Sequence, residues 1–385
     1  MAERRRRAYG EGGIYQLSDG RWQGSVELGW IDGARRRKTI TRRTKSEVAR
    51  ELRRLLTEAE AGRLRYEAPP TLEQWMQTYL SDVAATRVRP GTLHSYQQFA
   101  RLYINPGLGR QRLDRIRPQH ITAFYRDLSR TLAPSSVRRV HAVLRRALTV
   151  AVRWGLIQTN PTLLVDPPSL SHAKVRPYTV DEAKSFLDVA SRDRLEARWV
   201  IAMTLGLRQG ETLGLGWSHI DFDKNLITIE QALQRQPDGG LALVPTKTER
   251  SQRVIPMPPA VATALRRRQT LQAADRDLLG SEWQESDLVF TTQLGTPIHP
   301  RNDYRSFQSL IRRGGLRRVR LHDLRHTAAS LLLAQGVAAR VVMEILGHSQ
   351  ISVTMNTYTH VDPELNRDAT NRIQDLLWPK DETNG

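Results

Sequence analysis

The sequence contains no cysteine in its 385 residues. Disulfide bonds, zinc fingers with cysteine ligands and thiol catalysis are therefore excluded. Long apolar runs are also missing, because the most apolar stretch, WVIAMTLGL (199–207), is far shorter than the ~20 residues of a membrane span. The basic start MAERRRRAYG is followed by no apolar segment, so we expect no secretory signal. These absences predict an intracellular protein with no membrane partner.

Several familiar catalytic motifs are absent too. The sequence has no G-x-S-x-G elbow and no phosphate-binding loop of the type G-x-x-x-x-G-K-[ST], so no nucleotide cofactor is implied. The stretch HDLRH (322–326) lacks the glutamate of a zinc-protease motif. Its two histidines have the spacing of a metal-binding pair on a helix, whereas His322 with Arg325 would suit an anion. We favour the anion and predict no metal site.

The charge is strongly one-sided, at +19, with 59 basic residues of which only seven are lysine and 52 are arginine. The planar guanidinium of arginine suits phosphate, so this balance points to nucleic acid. The alternative is an ordinary protein from an arginine-rich genome. The excess charge lies in the first half of the chain. Residues 1–66 carry 17 basic against 9 acidic residues, residues 67–175 carry 15 against 6, and the remainder carries 27 against 25.

This distribution of charge predicts that the first two segments bind a nucleic acid and that the third carries the catalytic residues. Proline-marked breaks at 66–71 and 164–179 separate the segments. The first segment has β-rich runs divided by turn signals, then a helical pattern, which together predict a small sheet and a helix. Its second hairpin carries a basic cluster: Arg35, Arg36, Arg37, Lys38, Arg42 and Arg43. Such a sheet can lie in the major groove, and because the basic residues are so dense we favour DNA contact over the alternative of a solvated charged face.

The second segment has apolar residues at helical spacing throughout and is predicted to be helical. Four arginines lie along its last helix: Arg138, Arg139, Arg145 and Arg146. The third segment reads as helices with an embedded β-patch between about 226 and 256. The predicted fold class is therefore a multidomain chain, mainly α with small β-sheets: a three-stranded sheet plus helix, a helical domain and a mixed α/β domain.

The residues that could do chemistry are cations and one aromatic hydroxyl. Arg208 lies late in an apolar stretch, where a charge needs a partner, and Glu211 is three residues away. Alone, the two would be a structural ion pair. Lys247 would be a surface lysine and Tyr358 a core tyrosine.

Taken together, four blocks in this order resemble the catalytic signature of the tyrosine recombinases: GLRQGETLGLGW, PTKTERSQRVIPMP, LHDLRHTAAS and LGHSQISVTMNTYTH. More narrowly, the chain resembles the phage and mobile-element integrases found in actinobacteria, over nearly its whole length. The resemblance implies an arm-type DNA-binding domain at 1–66 and a helical core-site DNA-binding domain at 67–168. A catalytic domain with a C-terminal tail would occupy 176–385.

The resemblance also implies six catalytic residues around a scissile phosphate: Arg208, Lys247, His322, Arg325, His348 and Tyr358. The arginines would clamp the non-bridging oxygens, and the lysine would protonate the leaving 5′ oxygen. The histidines would hydrogen-bond the phosphate and assist proton transfer. The tyrosine would be the nucleophile that forms a 3′-phosphotyrosine, and Glu211 would orient Arg208.

The implied function is site-specific recombination that integrates and excises a mobile element, without a cofactor. The implied partners are double-stranded DNA at core-type and arm-type sites, three further copies in a homotetramer, and an excisionase or DNA-bending helper protein. The expected location is the cytoplasm of a bacterial host cell, at the nucleoid. Two alternatives stay open at this point: a type IB topoisomerase-like enzyme with the same chemistry, and a non-catalytic DNA-binding regulator.

Overall fold

The structure is a computed structural model of the chain. It describes residues 13–31, 34–60, 69–170, 176–246 and 252–347. The chain divides into two compact units, Met1–Ser171 and His172–Gly385. The finer division of the first unit into an arm-binding and a core-binding domain stays a prediction.

The first unit begins with three antiparallel strands in the order β1 (Ile14–Gln16), β2 (Trp22–Ile31) and β3 (Ala34–Arg42). Helix α1 (Lys45–Glu60) follows. The alternating pattern of β2 buries Val26 against Leu52 and Leu55 of the helix. The sheet and helix predicted for this segment are therefore present, and their small core leaves the basic strand β3 at the sheet edge.

The rest of the first unit is helical. Its helices are α2 (Leu72–Thr78), α3 (Ala85–Arg87), α4 (Pro90–Phe99), α5 (Asn105–Leu108), α6 (Pro118–Leu128) and α7 (Pro134–Arg153). Two π-helical turns, Tyr79–Ala84 and Ala100–Ile104, join α2 to α3 and α4 to α5. The core contains Trp75, whose indole N–H donates to the carbonyl of Ala147 at 3.0 Å.

The second unit is also mainly α. Its helices are α8 (Val180–Ala190), α9 (Glu196–Thr204), α10 (Gln209–Leu213), α11 (Pro259–Leu279), α12 (Pro300–Arg313), α13 (Asp323–Ala334) and α14 (Ala339–Leu346). Its strands are β4 (Ile220–Asp221), β5 (Leu226–Ile229), β6 (Gln231–Arg235), β7 (Leu241–Pro245) and β8 (Arg253–Pro256). The strands form one antiparallel sheet, β4-β5-β8, and one hairpin, β6-β7. The predicted fold class is confirmed. Among the described helices, none is long and apolar enough to cross a membrane.

A buried ion pair fixes two helices of the second unit against each other. Arg198 on α9 and Asp303 on α12 are 1% and 0% exposed, and their two hydrogen bonds measure 3.0 and 3.1 Å. Gln209, at the start of α10, donates to the same carboxylate at 2.8 Å. The pair therefore also fixes the residue that directly follows Arg208.

Removing one member of this pair should be strongly destabilising, because the other charge would stay buried without compensation. We expect Asp303→Ala to lower the free energy of unfolding by about 3–5 kcal/mol. The exposed pair of Arg276 with Glu285 provides the control, since Glu285→Ala should cost less than about 1 kcal/mol. Chemical denaturation followed by tryptophan fluorescence measures both. Equal effects of the two substitutions would contradict the prediction.

Candidate active site

Arg208 lies at a sharp exit from helix α9. Gly206 has a φ of +58°, and a Cβ there would lie 2.5 Å from Leu346, so both the backbone and the packing require glycine. The chain then becomes extended at Arg208, which forms the N-cap of the short helix α10. This turn leaves the Arg208 side chain 39% exposed although the surrounding segment is buried.

The carboxylate of Glu211 binds Arg208 twice. One oxygen accepts from the guanidinium Nη1 at 2.6 Å, and the other accepts from the Arg208 backbone N–H at 3.1 Å. Burial acts to raise the pKa of Glu211, but the positive charges and hydrogen bonds of Arg253 and Arg208 outweigh it and lower the pKa. Glu211 is therefore an anion that fixes both the backbone and the side chain of Arg208.

His322 and Arg325 lie one turn apart at the start of helix α13. His322 is the N-cap, and the Arg325 side chain is buried with its Nη1 donating to the carbonyl of Gly206 at 2.8 Å. This bond joins α13 to the turn that precedes Arg208. The structure thus brings together three predicted site residues from two segments more than 100 residues apart in the sequence.

A cavity of about 360 Å³ opens beside these residues. Its lining includes Gln209, Tyr304 and Arg320 together with His322 and Arg325. The wall combines apolar side chains with the guanidinium groups of Arg320 and Arg325, and these cations could receive an anion such as phosphate. In the described part of the chain, no group of three or more histidine or acidic side chains could hold a metal ion.

The second histidine of the HDLRH stretch contacts the first. The rings of His322 and His326 pack edge to face with their centroids 5.1 Å apart. Burial, helped by the neighbouring His326 and Arg325, lowers the pKa of His322 to about 4, while Asp323 opposes this shift. His322 is therefore neutral at pH 7 in the DNA-free protein, and its lowered pKa makes the ring a weaker base than an ordinary histidine.

Arg253 is a site residue that the sequence interpretation missed. Its side chain is only 8% exposed, pairs with Glu211 at 3.0 Å and donates to the carbonyl of Ile345 at 2.8 Å. It stands on β8, 42 residues from Glu211. The position of an unassigned arginine inside the PTKTERSQRVIPMP block was the signal that could have pointed to it.

Three predicted catalytic residues, Lys247, His348 and Tyr358, lie outside the described residues. The chain is described up to the residues that precede two of them. Thr246 donates its backbone N–H to the carbonyl of Glu230 at 2.9 Å, at the end of the β6-β7 hairpin. Gly347 accepts a 2.6 Å hydrogen bond from Nη2 of Arg208. The catalytic roles of Lys247, His348 and Tyr358 stay predictions.

The predicted DNA-binding residues lie on two elements of the first unit. Strand β3 carries the basic run, in which Arg37 and Arg42 are exposed and Lys38 is half-buried, and Arg43 follows it. The side chains of Arg35 and Arg36 are outside the described set. On α7 the four arginines are exposed: Arg138, Arg139, Arg145 and Arg146. Buried residues alternate with them at helical spacing, so they share the outer part of the helix.

The chain matches two families of known proteins. Residues 178–364 match the phage integrase family, and residues 71–129 match the N-terminal SAM-like domain of phage integrases. An integrase of Saccharopolyspora erythraea is 31% identical over 98% of this chain and 99% of its own length.

Solved structures share the fold. The Tn1549 transposon integrase in complex with a circular intermediate DNA has a TM-score of 0.69 at 21% identity, covering 79% of this chain and 99% of that one. A lambda integrase dimer bound to a COC′ core site has a TM-score of 0.57 at 18% identity, covering 91% and 96%. The four sequence blocks and the family matches define a DNA strand transferase of the tyrosine recombinase class.

The chain belongs to the phage integrase family and is a site-specific tyrosine recombinase of the mobile-element type.

The buried position of His322 predicts an unusual titration. Because the folded pKa is about 4 and the ordinary value is 6.5, the ring should stay neutral until well below pH 6. The unfolded chain would bind a proton first, so this residue should reduce stability as the pH falls from about 6.5 to about 4. NMR titration of the histidine rings measures this, with His322→Asn to assign the signal. A His322 midpoint near 6.5 would disprove the prediction.

Proposed function

We propose that the chain cuts and rejoins DNA with Arg208, His322 and Arg325 around the scissile phosphate and Tyr358 as the nucleophile. The observation that carries this proposal is the direct linkage of the site. Arg325 bonds the carbonyl of Gly206, two residues before Arg208, and Arg208 bonds the carbonyl of Gly347, eleven residues before Tyr358. One phosphate can therefore meet groups from both predicted arginine blocks.

The reaction is a phosphoryl transfer that conserves the number of phosphoester bonds. The Oη of Tyr358 attacks phosphorus and forms a 3′-phosphotyrosine while the bond to the 5′ oxygen breaks. The tyrosine proton passes to a histidine, and Lys247 gives a proton to the leaving 5′ oxygen. Attack by the 5′ hydroxyl of a different strand reverses these steps and releases the enzyme.

Electrostatics is the main contribution of the protein to this step. A tyrosine has an ordinary pKa of about 10, so ionising it at pH 7 costs roughly 4 kcal/mol. Two arginines lower this cost and stabilise the negative charge on the non-bridging oxygens of the pentacoordinate transition state. Neutral His322 can take up a proton, and a bound phosphate anion would raise its pKa and favour this uptake.

We also propose that the first unit binds double-stranded DNA. The basic strand β3 would contact arm-type sites, and the exposed arginines of α7 would contact core-type sites. Two coordinated exchanges need four active sites, so the working assembly would be a homotetramer on DNA. An excisionase or DNA-bending helper would set the direction, and the protein would act in the bacterial cytoplasm, where its DNA lies.

Lys247 can be tested through its leaving group. We expect Lys247→Ala to slow cleavage by roughly 10²-fold on a normal nicked suicide substrate, in the range of a lost acid catalyst. A substrate with sulfur in place of the 5′ bridging oxygen should restore the rate, because a thiolate leaves without a proton. Arg208→Ala is the control and should stay slow on both substrates. Quantifying the covalent DNA adduct over time measures the rates.

Tyr358→Phe should form no adduct at all on either substrate. An adduct with this variant, or none with the wild-type chain, would contradict the nucleophile assignment. Relaxation of plasmid DNA without any specific site would instead favour a topoisomerase.

The role of the basic strand has its own test. Neutralising Arg37 and Arg42 together, by substitution with glutamine, should weaken binding to arm-type DNA and reduce the slope of log Kd against log salt by about 2. Binding to isolated core-site DNA should be unchanged. Fluorescence anisotropy over a salt series measures both, with exposed Arg21→Gln as the matched control. An unchanged arm-site slope would refute the assignment.

A further inference from the structure

Arg253 makes contacts that connect three parts of the candidate active site. It is the first residue of strand β8, and Lys247 precedes it by six residues. Its Nη2 pairs with an oxygen of Glu211 at 3.0 Å, and its Nε donates to the carbonyl of Ile345 at 2.8 Å. One planar guanidinium therefore joins β8, the start of α10 and the end of α14.

The contact with Glu211 bears directly on Arg208. Glu211 is only 4% exposed and holds Arg208 through one oxygen at 2.6 Å while the other oxygen meets Arg253. Among the groups that keep this buried carboxylate ionised, the charge of Arg253 has a larger effect than that of Arg208. Without Arg253, the carboxylate would lose a donor and could rotate away from the geometry that fixes Arg208.

The contact with Ile345 bears on the chain that leads to the nucleophile. The last carbonyls of a helix lack partners within the helix, and cations are favourable there. The Nε of Arg253 donates a hydrogen bond to one such carbonyl, that of Ile345. The Nη2 of Arg208 donates to the carbonyl of Gly347 at 2.6 Å. Gly347 has a φ of +68°, and a Cβ there would lie 2.7 Å from Nη1 of Arg253, so the approach is close.

We infer that Arg253 is a positioning residue for strand cleavage. Its contact with Glu211 fixes the orientation of the Arg208 side chain. Its contact with Ile345 fixes the end of α14, after which the sequence continues to His348 and Tyr358. It acts through these groups and does not itself clamp the phosphate. This inference rests on the proposed function, because its effect is defined on the cleavage step.

Lysine cannot replace this arginine. A lysine at 253 keeps a positive charge beside Glu211, but its single ammonium cannot reproduce two bonds in different directions from one rigid plane. A merely electrostatic role would therefore tolerate Arg253→Lys, whereas a positioning role would not, and a loss of folding is detected separately by thermal unfolding. Misplacing a reacting group by about 1 Å can cost on the order of 10²-fold in rate.

The test compares DNA binding with the rate of cleavage. We expect Arg253→Lys to slow single-turnover formation of the covalent adduct on a nicked suicide substrate by roughly 10- to 100-fold. Its Kd for the same DNA should change by less than about threefold. The matched control is Arg317→Lys, because Arg317 also joins a carboxylate, Glu182, to a backbone carbonyl, that of Pro177. The control should cleave at nearly the wild-type rate.

A double substitution tests the route of the effect. If Arg253 acts on Arg208 through Glu211, then Arg253→Lys added to Glu211→Gln should slow cleavage little further, because the two groups act as one unit. Thermal unfolding of every variant establishes that it is folded at the assay temperature.

Three results would decide against the inference. Cleavage by Arg253→Lys within about twofold of the Arg317→Lys control would overturn it, as would independent, multiplicative effects in the double variant. A wild-type chain that forms no adduct would remove the proposed function, and the inference with it. If the wild-type chain forms the adduct and Arg253→Lys forms it at the rate of the control, the inference is wrong while the proposed function stands.

Discussion

A single buried carboxylate allows two arginines to share the centre of the site. Glu211 lies between the guanidinium groups of Arg208 and Arg253, which would otherwise repel each other in a region of low solvent access. Because two cations meet one anion, the cluster keeps one excess positive charge. Arg208, 39% exposed, is the member through which that charge reaches solvent.

Other arginines near the site are also oriented by buried acceptor groups. The buried carboxylate of Asp303 holds Arg198 and the side chain of Gln209, next to Arg208, while Arg325 is held by the carbonyl of Gly206. Arg198 and Arg325 are thus each oriented by an acceptor from a different part of the unit, whereas Arg208 and Arg320 are held by carboxylates three residues away. Such preorganisation lets the site bind charge without reorganising its own dipoles, which is the main source of electrostatic catalysis.

The sequence predicted local features well and distant contacts poorly. Helices, turns and the contact of Arg208 with Glu211 follow from periodicity and from a spacing of three residues. The pair of Arg253 with Glu211 spans 42 residues and that of Arg198 with Asp303 spans 105, and no spacing rule describes them. The π-helical turns at Tyr79–Ala84 and Ala100–Ile104 also escaped, because each adds a residue that a regular 3.6-residue period does not anticipate.

The buried pair of Arg198 with Asp303 has a consequence for synthesis on the ribosome. A chain that has emerged only as far as α11 carries Arg198 without Asp303, so the buried ion pair cannot form. The end of α14, which the arginines of the site bind, emerges later still. Nascent and prematurely terminated chains therefore carry the helices of the first unit, with the four exposed arginines of α7, before they hold the assembled site around Arg208.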